Sequence, residues 1–223
     1  MGGALRMQLR DYRRLAVVLA VLGLLTDQIS KYAIFRGLAD ESLKISDNPL
    51  VYRLTLLTDT FHLLAQFEAV PTDEMSWLVR CNGPYLPSVN HGALFGLGGP
   101  LQHRANAGFA VVSLLAAGAV AYWLSRLSTA RDRWLCVTLG LILGGTLGNL
   151  YDRLVFGGVR DFLHFHIPNV IDWPVFNLAD CWLVCGAILL LIQAIFAPPP
   201  SPPKATDAPA ATSQSQPTAS TLA

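Results

Sequence analysis

Residues 176–191 read Phe-Asn-Leu-Ala-Asp-Cys-Trp-Leu-Val-Cys-Gly-Ala-Ile-Leu-Leu-Leu, an apolar run with one acidic residue, Asp180, near its start. Extended to residue 197, this run is long enough to cross a bilayer as a helix, which takes ~20 residues. A carboxylate in such a segment is costly and usually has a purpose. A second acid, Asp161, precedes Asp180 in the chain. Two acids that meet at the start of a span suggest a paired-acid site at the membrane surface.

The composition indicates an integral membrane protein. The chain has 223 residues, of which 52% are hydrophobic and 14% are charged, whereas soluble domains are roughly 25% charged. Four apolar stretches approach the length of a membrane span, at residues 15–35, 107–124, 134–151 and 176–197. We therefore predict an all-α membrane protein with four transmembrane helices. The alternative is a soluble helical bundle with unusually apolar helices.

The distribution of arginine orients these spans. Arginines lie before the first span and in the short connection 125–133 between the second and third: Arg6, Arg10, Arg13, Arg14, Arg126, Arg131 and Arg133. By the positive-inside rule both regions are cytoplasmic, as is the C-terminus. Residues 37–106 and 152–175 then face outward. The second half of the first span, the end of the third and the start of the fourth must therefore share the outer membrane interface.

The tails differ from the membrane domain at 15–197. Residues 1–14 form a basic cytoplasmic N-terminus. Together with the apolar run at residues 15–25 it resembles a secretory signal, but no small-x-small cleavage site follows, so we predict an uncleaved first span. In residues 198–223, seven of 26 are proline and most others are Ala, Ser, Thr or Gln. Such a segment buries too little apolar surface to offset its ordering entropy, which predicts a disordered cytoplasmic tail.

The outer insertion 37–106 contains strand and turn signals. Residues 50–57 alternate in polarity, which predicts a strand, and residues 78–81 suggest a second short strand. Residues 82–84 and 97–100 are turn signals. We expect a small extracytoplasmic β-sheet on the outer face of the membrane.

Other compositional features are less specific. The net charge of +1 gives no reason to expect nucleic-acid binding. The four cysteines form no CxxC pair, so neither a zinc site nor a disulfide framework is predicted. Gly140, Gly144 and Gly148 are spaced to let the third span approach another helix closely.

The sequence has four polar clusters: topology brings three of them to the outer interface, and one, at residues 90–96, lies in the outer insertion just before the second span. Asp27 and Lys31 are four residues apart and can neutralise each other on one helical face, either as a structural ion pair or as part of a site. The other three clusters are Asn90-His-Gly-Ala-Leu-Phe-Gly96, Gly148-Asn149-Leu-Tyr-Asp-Arg153 followed by Gly157-Gly-Val-Arg-Asp161-Phe162, and Phe176-Asn177-Leu-Ala-Asp180. Each is weak alone, because turns, interfacial anchors and helix starts use the same residue types.

In this order, and in a chain with four spans, the clusters resemble the bacterial lipoprotein signal peptidase family (signal peptidase II). The resemblance covers residues 15–197. It implies a membrane aspartyl endopeptidase that removes the signal peptide from diacylglyceryl-modified prolipoproteins, cutting before the lipidated cysteine. It places the enzyme in the bacterial inner membrane, with its active site near the outer face.

The resemblance also implies residue roles. Asp161 and Asp180 match the catalytic pair. Asn149, Arg153 and Asn177 match positions that line the site and hold the substrate backbone, and Asn90 and Asp27 match supporting positions in that substrate-binding region. The expected partners are prolipoproteins and membrane lipid, and the chain is expected to act as a monomer.

Three features depart from the family pattern. About 58 residues separate Lys31 from Asn90, more than is usual, which leaves the shape of the substrate cradle open. Arg160 replaces an apolar residue, and Leu94 replaces a small one. We expect Arg160 to extend toward lipid headgroups, as long cationic side chains do near an interface.

Two like charges held close together cannot both ionise easily, so the two aspartates would share a proton near neutrality and activate a water molecule without a metal or another cofactor. One alternative is a metal-dependent hydrolase that uses Asp161, His164, His166 and Asp172. Another is a transporter or assembly factor that uses Asp27 and Asp180 for protons or ions.

Overall fold

A computed structural model describes residues 11–39, 50–58, 60–92 and 100–196 of the chain. Within these ranges, four helices are long and apolar enough to cross a membrane: α1 (Arg13–Leu38), α3 (Pro100–Ser125), α5 (Arg133–Val155) and α6 (Leu178–Ile195). They correspond to the four predicted spans. Residues 1–10, the tail 198–223 and part of the turn predicted at 97–100 lie outside the described residues.

Helix α5 lies at the centre of the bundle. In the most apolar stretch of α5, 56% of the residues are buried, compared with 11% of those in the corresponding stretches of α3 and α6. Exposed apolar side chains are abundant on the other helices, for example Leu115 on α3 and Ile195 on α6. These faces suit lipid, because a bilayer solvates apolar side chains that water would not.

The glycine spacing predicts that α5 approaches another helix closely, and in the structure that helix is α1. A Cβ atom at Gly140 would lie 2.7 Å from the Ala16 carbonyl oxygen, and one at Gly144 would lie 3.1 Å from the Gly23 Cα. The two backbones are therefore in direct contact. Further along α5, a Cβ at Gly148 would lie 2.6 Å from the Asp27 carboxylate. The glycines thus set how close the polar residues of α1 and α5 come to each other.

A small antiparallel sheet joins two separate connections of the chain. The described strands are β1 (Val51–Leu57), β2 (Phe61–Pro71), β3 (Tyr85–Pro87), β4 (Leu163–Ile167) and β5 (Ile171–Asp172). Strand β2 pairs with β1, β3 and β4, and β4 pairs with β5. Strand β1 confirms the prediction at 50–57. The sheet fastens the α1–α3 segment to the α5–α6 connection.

The strand predicted at residues 78–81 is wrong. Trp77–Arg80 forms a short helix, α2, in which the backbone N–H groups of Val79 and Arg80 bond to the Ser76 carbonyl. The side-chain amide of Asn82 donates to the Leu78 and Val79 carbonyls at 3.2 and 3.0 Å and so satisfies the end of this helix. The predicted turn at 82–84 is present, and Gly83 has a φ of 135°, a conformation that favours glycine.

An aromatic cluster seats the sheet on the end of α1. Phe35 of α1 contacts Phe67 of β2 with ring centroids 5.6 Å apart, and Tyr52 of β1 contacts the same ring at 5.7 Å. Phe162 and Leu163 from the α5–α6 connection complete this buried cluster. The sheet therefore has a fixed place beside the polar ends of the helices.

The arginine-rich connection lies at the opposite end of the bundle from the sheet. Arg13, at the start of α1, donates to the carbonyls of Leu124 and Ser125 at the end of α3, at 2.8 and 2.6 Å. The backbone N–H of Tyr12 bonds to Ala130 in the short helix α4 (Leu127–Ala130) at 2.7 Å. Arg13 and the connection at residues 125–133 therefore lie on one side of the bundle.

The contact between α1 and α5 can be tested with a single methyl group. We expect Gly140→Ala to lower the thermal midpoint in detergent, because the added carbon meets backbone and overpacking costs about 1–3 kcal/mol. Gly118→Ala on α3 is the matched control, because a Cβ there meets nothing within 4 Å. Equal midpoints for the two variants would contradict the close approach.

Candidate active site

Asp180 is held at the start of α6 by a capping box. The Asn177 side chain accepts from the Asp180 backbone N–H at 3.2 Å, and the Asp180 carboxylate accepts from the Asn177 backbone N–H at 3.1 Å. These reciprocal bonds satisfy two donors that a helix start leaves unpaired. They also fix the carboxylate at the positive end of the helix dipole.

Asp161 reaches the same site from the loop before β4. The Asn177 amide donates to Asp161 Oδ1 at 2.6 Å, and the Asn90 amide donates to Asp161 Oδ2 at 3.0 Å. Asn177 therefore contacts both acidic side chains, one through its side-chain amide and the other through its backbone. The fold thus gathers Asp161, Asp180, Asn177 and Asn90 from three separate parts of the sequence.

Asn149 of α5 extends this network. Its Nδ2 donates to Asp180 Oδ1 at 2.8 Å, and its Oδ1 accepts from Asn177 Nδ2 at 3.1 Å and from Lys31 Nζ at 3.3 Å. The predicted position of Asn149 beside the acidic pair is thus where the structure places it. Because both atoms of its amide bond within the network, Asn149 orients Asp180 as well as facing the site.

Asn90 is anchored through its backbone. Its N–H and C=O exchange hydrogen bonds with Val159 at 2.7 and 2.9 Å, and its side chain also accepts from the Gly92 N–H. Gly92 has a φ of 98° and packs against Phe109, whose ring a side chain at this position would overlap. The remainder of this motif, residues 93–96 including Leu94, lies outside the described residues.

Arg153 lies near the pair without bonding to it. Its Nη1 donates to the Asn149 carbonyl at 3.2 Å, and its guanidinium lies 5.5 Å from the ring centroid of Phe109. Within the part of the chain that the structure describes, the buried Nε has no hydrogen-bond partner. A buried donor without a partner is costly, which makes this guanidinium a candidate to bind a ligand carbonyl.

Asp27 is fully buried and supports the site from the interior of the helical bundle. It accepts from Lys31 Nζ at 2.8 Å and from the Ala179 backbone N–H at 3.0 Å. The second bond ties α1 to the first turn of α6, directly before Asp180. This geometry favours support of the site, and contact of Asp27 with substrate stays a prediction.

The expected orientation of Arg160 is wrong. Its side chain is fully buried and turned inward, where Nη2 bonds to Asp152 at 2.8 Å. Asp152 also pairs with Lys31 at 3.2 Å. Two acids and two bases, Asp27, Asp152, Lys31 and Arg160, therefore form a charge-balanced cluster. A buried cation needs a partner and its hydrogen bonds, and the partners here are acids within the protein rather than headgroups.

Sequence reasoning missed two neutral members of this cluster. Gln28 and Asn82 both accept hydrogen bonds from the Arg160 guanidinium, at 2.8 and 2.6 Å. Gln28 lies in the first polar cluster, but the sequence analysis assigned a role only to the charged residues Asp27 and Lys31. Asn82 was assigned to a turn.

The two histidines of β4 do not join Asp161. His164 and His166 share one face of the strand, as predicted, and contact Asp172 at 2.7 and 3.3 Å. The hydrogen bond from His164 lowers the pKa of the Asp172 carboxyl. Among the described residues no group of three or more His, Cys, Asp or Glu side chains is arranged to hold a metal ion.

The surroundings of Asp161 change its acidity. Burial raises its pKa from 3.8 to about 6, and the charge of Asp180 acts in the same direction. The hydrogen bonds from Asn90 and Asn177 oppose this rise because they stabilise the ionised form. Asp161 is therefore protonated below about pH 6 and ionised above it, so it can hold or release a proton near neutrality.

The fold and the site together define a multi-pass membrane protein with a paired-aspartate site at one end of its helical bundle. A sequence model of the family described as Signal peptidase (SPase) II matches residues 85–196. A lipoprotein signal peptidase of Rhodopirellula baltica is 35% identical over 181 residues, covering 74% of this chain and 73% of the relative. One of Pseudomonas fluorescens is 34% identical, covering 79% and 85%. The chain belongs to the signal peptidase II family of proteases.

Solved structures support the fold. Two bacterial membrane enzymes, determined by the in meso method at 2.3 and 1.9 Å resolution, match with TM-scores of 0.58 and 0.59. They share 23% and 21% sequence identity with this chain, cover 83% and 85% of it, and are themselves covered to 90% and 97%. At this identity the likeness concerns the fold alone.

The acidity of Asp161 gives a testable pH dependence. We expect proteolytic kcat/KM to change with an apparent pKa near 6, the value for Asp161. Asn90→Ala removes a hydrogen bond that stabilises the ionised form of Asp161 by about 1 kcal/mol. The apparent pKa of the pH profile should therefore rise by roughly half to one pH unit. Gln66→Ala, which removes an exposed amide on β2, is the control and should leave the profile unchanged. A downward shift in Asn90→Ala would contradict the assignment.

Proposed function

We propose that this protein is a membrane aspartyl endopeptidase that removes signal peptides from diacylglyceryl-modified prolipoproteins, cutting before the lipidated cysteine. The observation that carries the proposal is the joint contact of Asn177 with Asp161 and Asp180. Two acidic residues from different elements are oriented by one asparagine. That arrangement suits a pair of carboxyl groups that share one proton.

The proposed reaction uses water and the two carboxyl groups. The ionised aspartate takes a proton from a water molecule whose oxygen attacks the scissile carbonyl carbon. The protonated aspartate donates a hydrogen bond to the carbonyl oxygen as negative charge develops there. The carbon–nitrogen bond then breaks, and the leaving nitrogen takes up a proton from the pair. No cofactor takes part in this scheme.

The other site residues have proposed roles in holding substrate. The unpaired Nε of Arg153 would donate to a peptide carbonyl, and Asn149 and Asn177 would keep both carboxylates oriented while facing the peptide. Asn90 is exposed and would complete the substrate side of the site. Asp27 would hold the first turn of α6 in place through its hydrogen bond with the Ala179 backbone N–H.

The position of the site suits a lipidated substrate. A diacylglyceryl group holds a prolipoprotein in the membrane, so an enzyme that acts on it needs its carboxylates at the membrane surface. Asp180 lies in the first turn of α6, at the end of a candidate span. Polar groups there can bind peptide carbonyls that lipid would leave unpaired. We place this end of the bundle, with the sheet, on the outer face of a bacterial inner membrane and both termini in the cytoplasm.

The catalytic pair can be tested on the purified protein. We expect Asp161→Asn and Asp180→Asn each to lower the rate of signal-peptide cleavage about 10³-fold or more, since each removes one proton-transfer group. Asp73→Asn, which alters an exposed acid outside the site, is the control and should keep full activity. The substrate is a diacylglyceryl-modified prolipoprotein, assayed beside its unlipidated form.

Two outcomes would contradict the proposal. Substantial activity in either variant would exclude the pair as the catalytic groups. Equal cleavage of the lipidated and unlipidated substrates would exclude the proposed substrate selection.

The proposed orientation has a separate test. In a background in which the four cysteines are replaced by alanine, Ser76→Cys on the sheet side should react with a membrane-impermeant maleimide in intact spheroplasts. Ser128→Cys, in α4 at the other end, should react only after lysis. Both serines are exposed, so their reactivity differs by compartment alone. The reverse labelling pattern would invert the topology.

A further inference from the structure

Arg160 directly precedes Asp161, yet nothing in the proposed reaction uses it. We propose that Arg160 and Asn82 are positioning residues for Asp161, and that they couple the α2 turn of the outer segment to the catalytic pair. This inference rests on the proposed catalytic role of Asp161. It assigns a function to a residue pair that joins parts of the chain 78 positions apart.

The backbone before Asp161 is held at successive residues. Val159 exchanges two backbone hydrogen bonds with Asn90. The Arg160 backbone N–H then donates to Asp152 Oδ2 at 2.9 Å. The Asp161 side chain itself is held by two amides. Since a catalytic carboxylate needs its place defined to a fraction of an ångström, each of these anchors bears on the reaction.

Asp152 fixes both ends of Arg160. Besides the backbone bond, its two oxygens accept from Arg160 Nη2 at 2.8 Å and from Nε at 3.3 Å. The guanidinium carbon also lies 4.4 Å from the Tyr32 ring centroid and 3.9 Å from that of Phe156. A lysine keeps the charge but has neither the planar fork nor the stacking surface that this site uses.

Asn82 carries the coupling to the outer segment. Its Oδ1 accepts from Arg160 Nη1 at 2.6 Å, while its Nδ2 donates to the Leu78 and Val79 carbonyls within α2. The turn that contains it is tied to the sheet, because Thr72 bonds through its hydroxyl and its backbone N–H to Gly83 and Pro84. A displacement of α2 is therefore transmitted through one fully buried asparagine to the residue before Asp161.

Charge balance decides which variants are informative. Replacing Arg160 by a neutral residue would leave Asp152 with one buried cation in place of two, and removing one member of a buried pair is strongly destabilising. Arg160→Lys keeps the balance. Asn82→Ala changes no charge and leaves every bond between Arg160 and Asp152 in place. These two variants therefore test positioning while keeping the cluster neutral.

The experiment is a double-mutant cycle on the full-length protein, with cleavage of lipidated prolipoprotein as the readout. We expect each single variant to lower kcat about tenfold, because small displacements of reacting groups have effects of this size, with KM nearly unchanged. The double variant should be no slower than Arg160→Lys alone, since the two residues act through one contact. Arg80→Lys, an exposed arginine on α2, is the matched control and should behave like the wild type.

A pH profile separates positioning from loss of folded enzyme. If a variant only reduces the number of active molecules, the rate falls by the same factor at every pH. If Asp161 is instead displaced and better hydrated, its pKa falls from about 6 toward the ordinary value of an aspartate, and the midpoint of the pH profile falls with it. The charged groups around Asp161 remain in every variant: Asp180, Lys31 and Arg153. Unchanged kcat in both single variants, additive effects in the double variant, or a rate lowered by the same factor at every pH would each overturn the inference. An inactive wild type would instead overturn the proposed function.

Discussion

The structure depends on neutralising four charges inside a bundle that has little water to solvate them. Asp27 and Lys31 come from α1, Asp152 from the end of α5, and Arg160 from the loop that follows. Burying any one of them alone would be unfavourable, so each needs a partner of opposite charge inside the bundle. Their meeting fixes the rotation of α1 against α5 and the path of the chain into Asp161. Through Ala179 and Asn149, it also fixes the start of α6.

Close backbone packing makes this arrangement possible. Ala16, Ala20 and Gly23 of α1 lie against Gly140 and Gly144 of α5, with no room for larger side chains between them. In lipid there is no hydrophobic driving force for helices to associate, so helix contacts there depend on close packing and on hydrogen bonds. The glycines bring the helices near, and the ionic cluster then specifies their register. The site is thus assembled on rigid elements.

Much of this could be predicted from sequence, for reasons that particular residues illustrate. The four spans follow from composition, and the spacing of Gly140 and Gly144 predicts a close helix contact for α5, although not that its partner is α1. Motif order brought Asn90, Asn149 and Asn177 into the site with the two aspartates. The orientation of Arg160 was predicted wrongly because an arginine near the interface can turn either to lipid headgroups or to an acid inside the protein. The local sequence does not reveal that Asp152, eight residues earlier, is buried beside it. The helical turn at Trp77–Arg80 was missed because four residues show no clear period.

The origin of the two carboxylates has a consequence for biosynthesis. Asp161 follows the third membrane helix, whereas Asp180 and its orienting partner Asn177 belong to the start of the fourth. A nascent chain that has inserted three helices therefore contains Asp161 and its partner Asn90, but still lacks Asp180 and Asn177. Under the proposed mechanism, hydrolytic competence would therefore arise only after the fourth helix has been inserted and has docked. Insertion of the fourth helix is therefore the step of biosynthesis that brings the two carboxylates together.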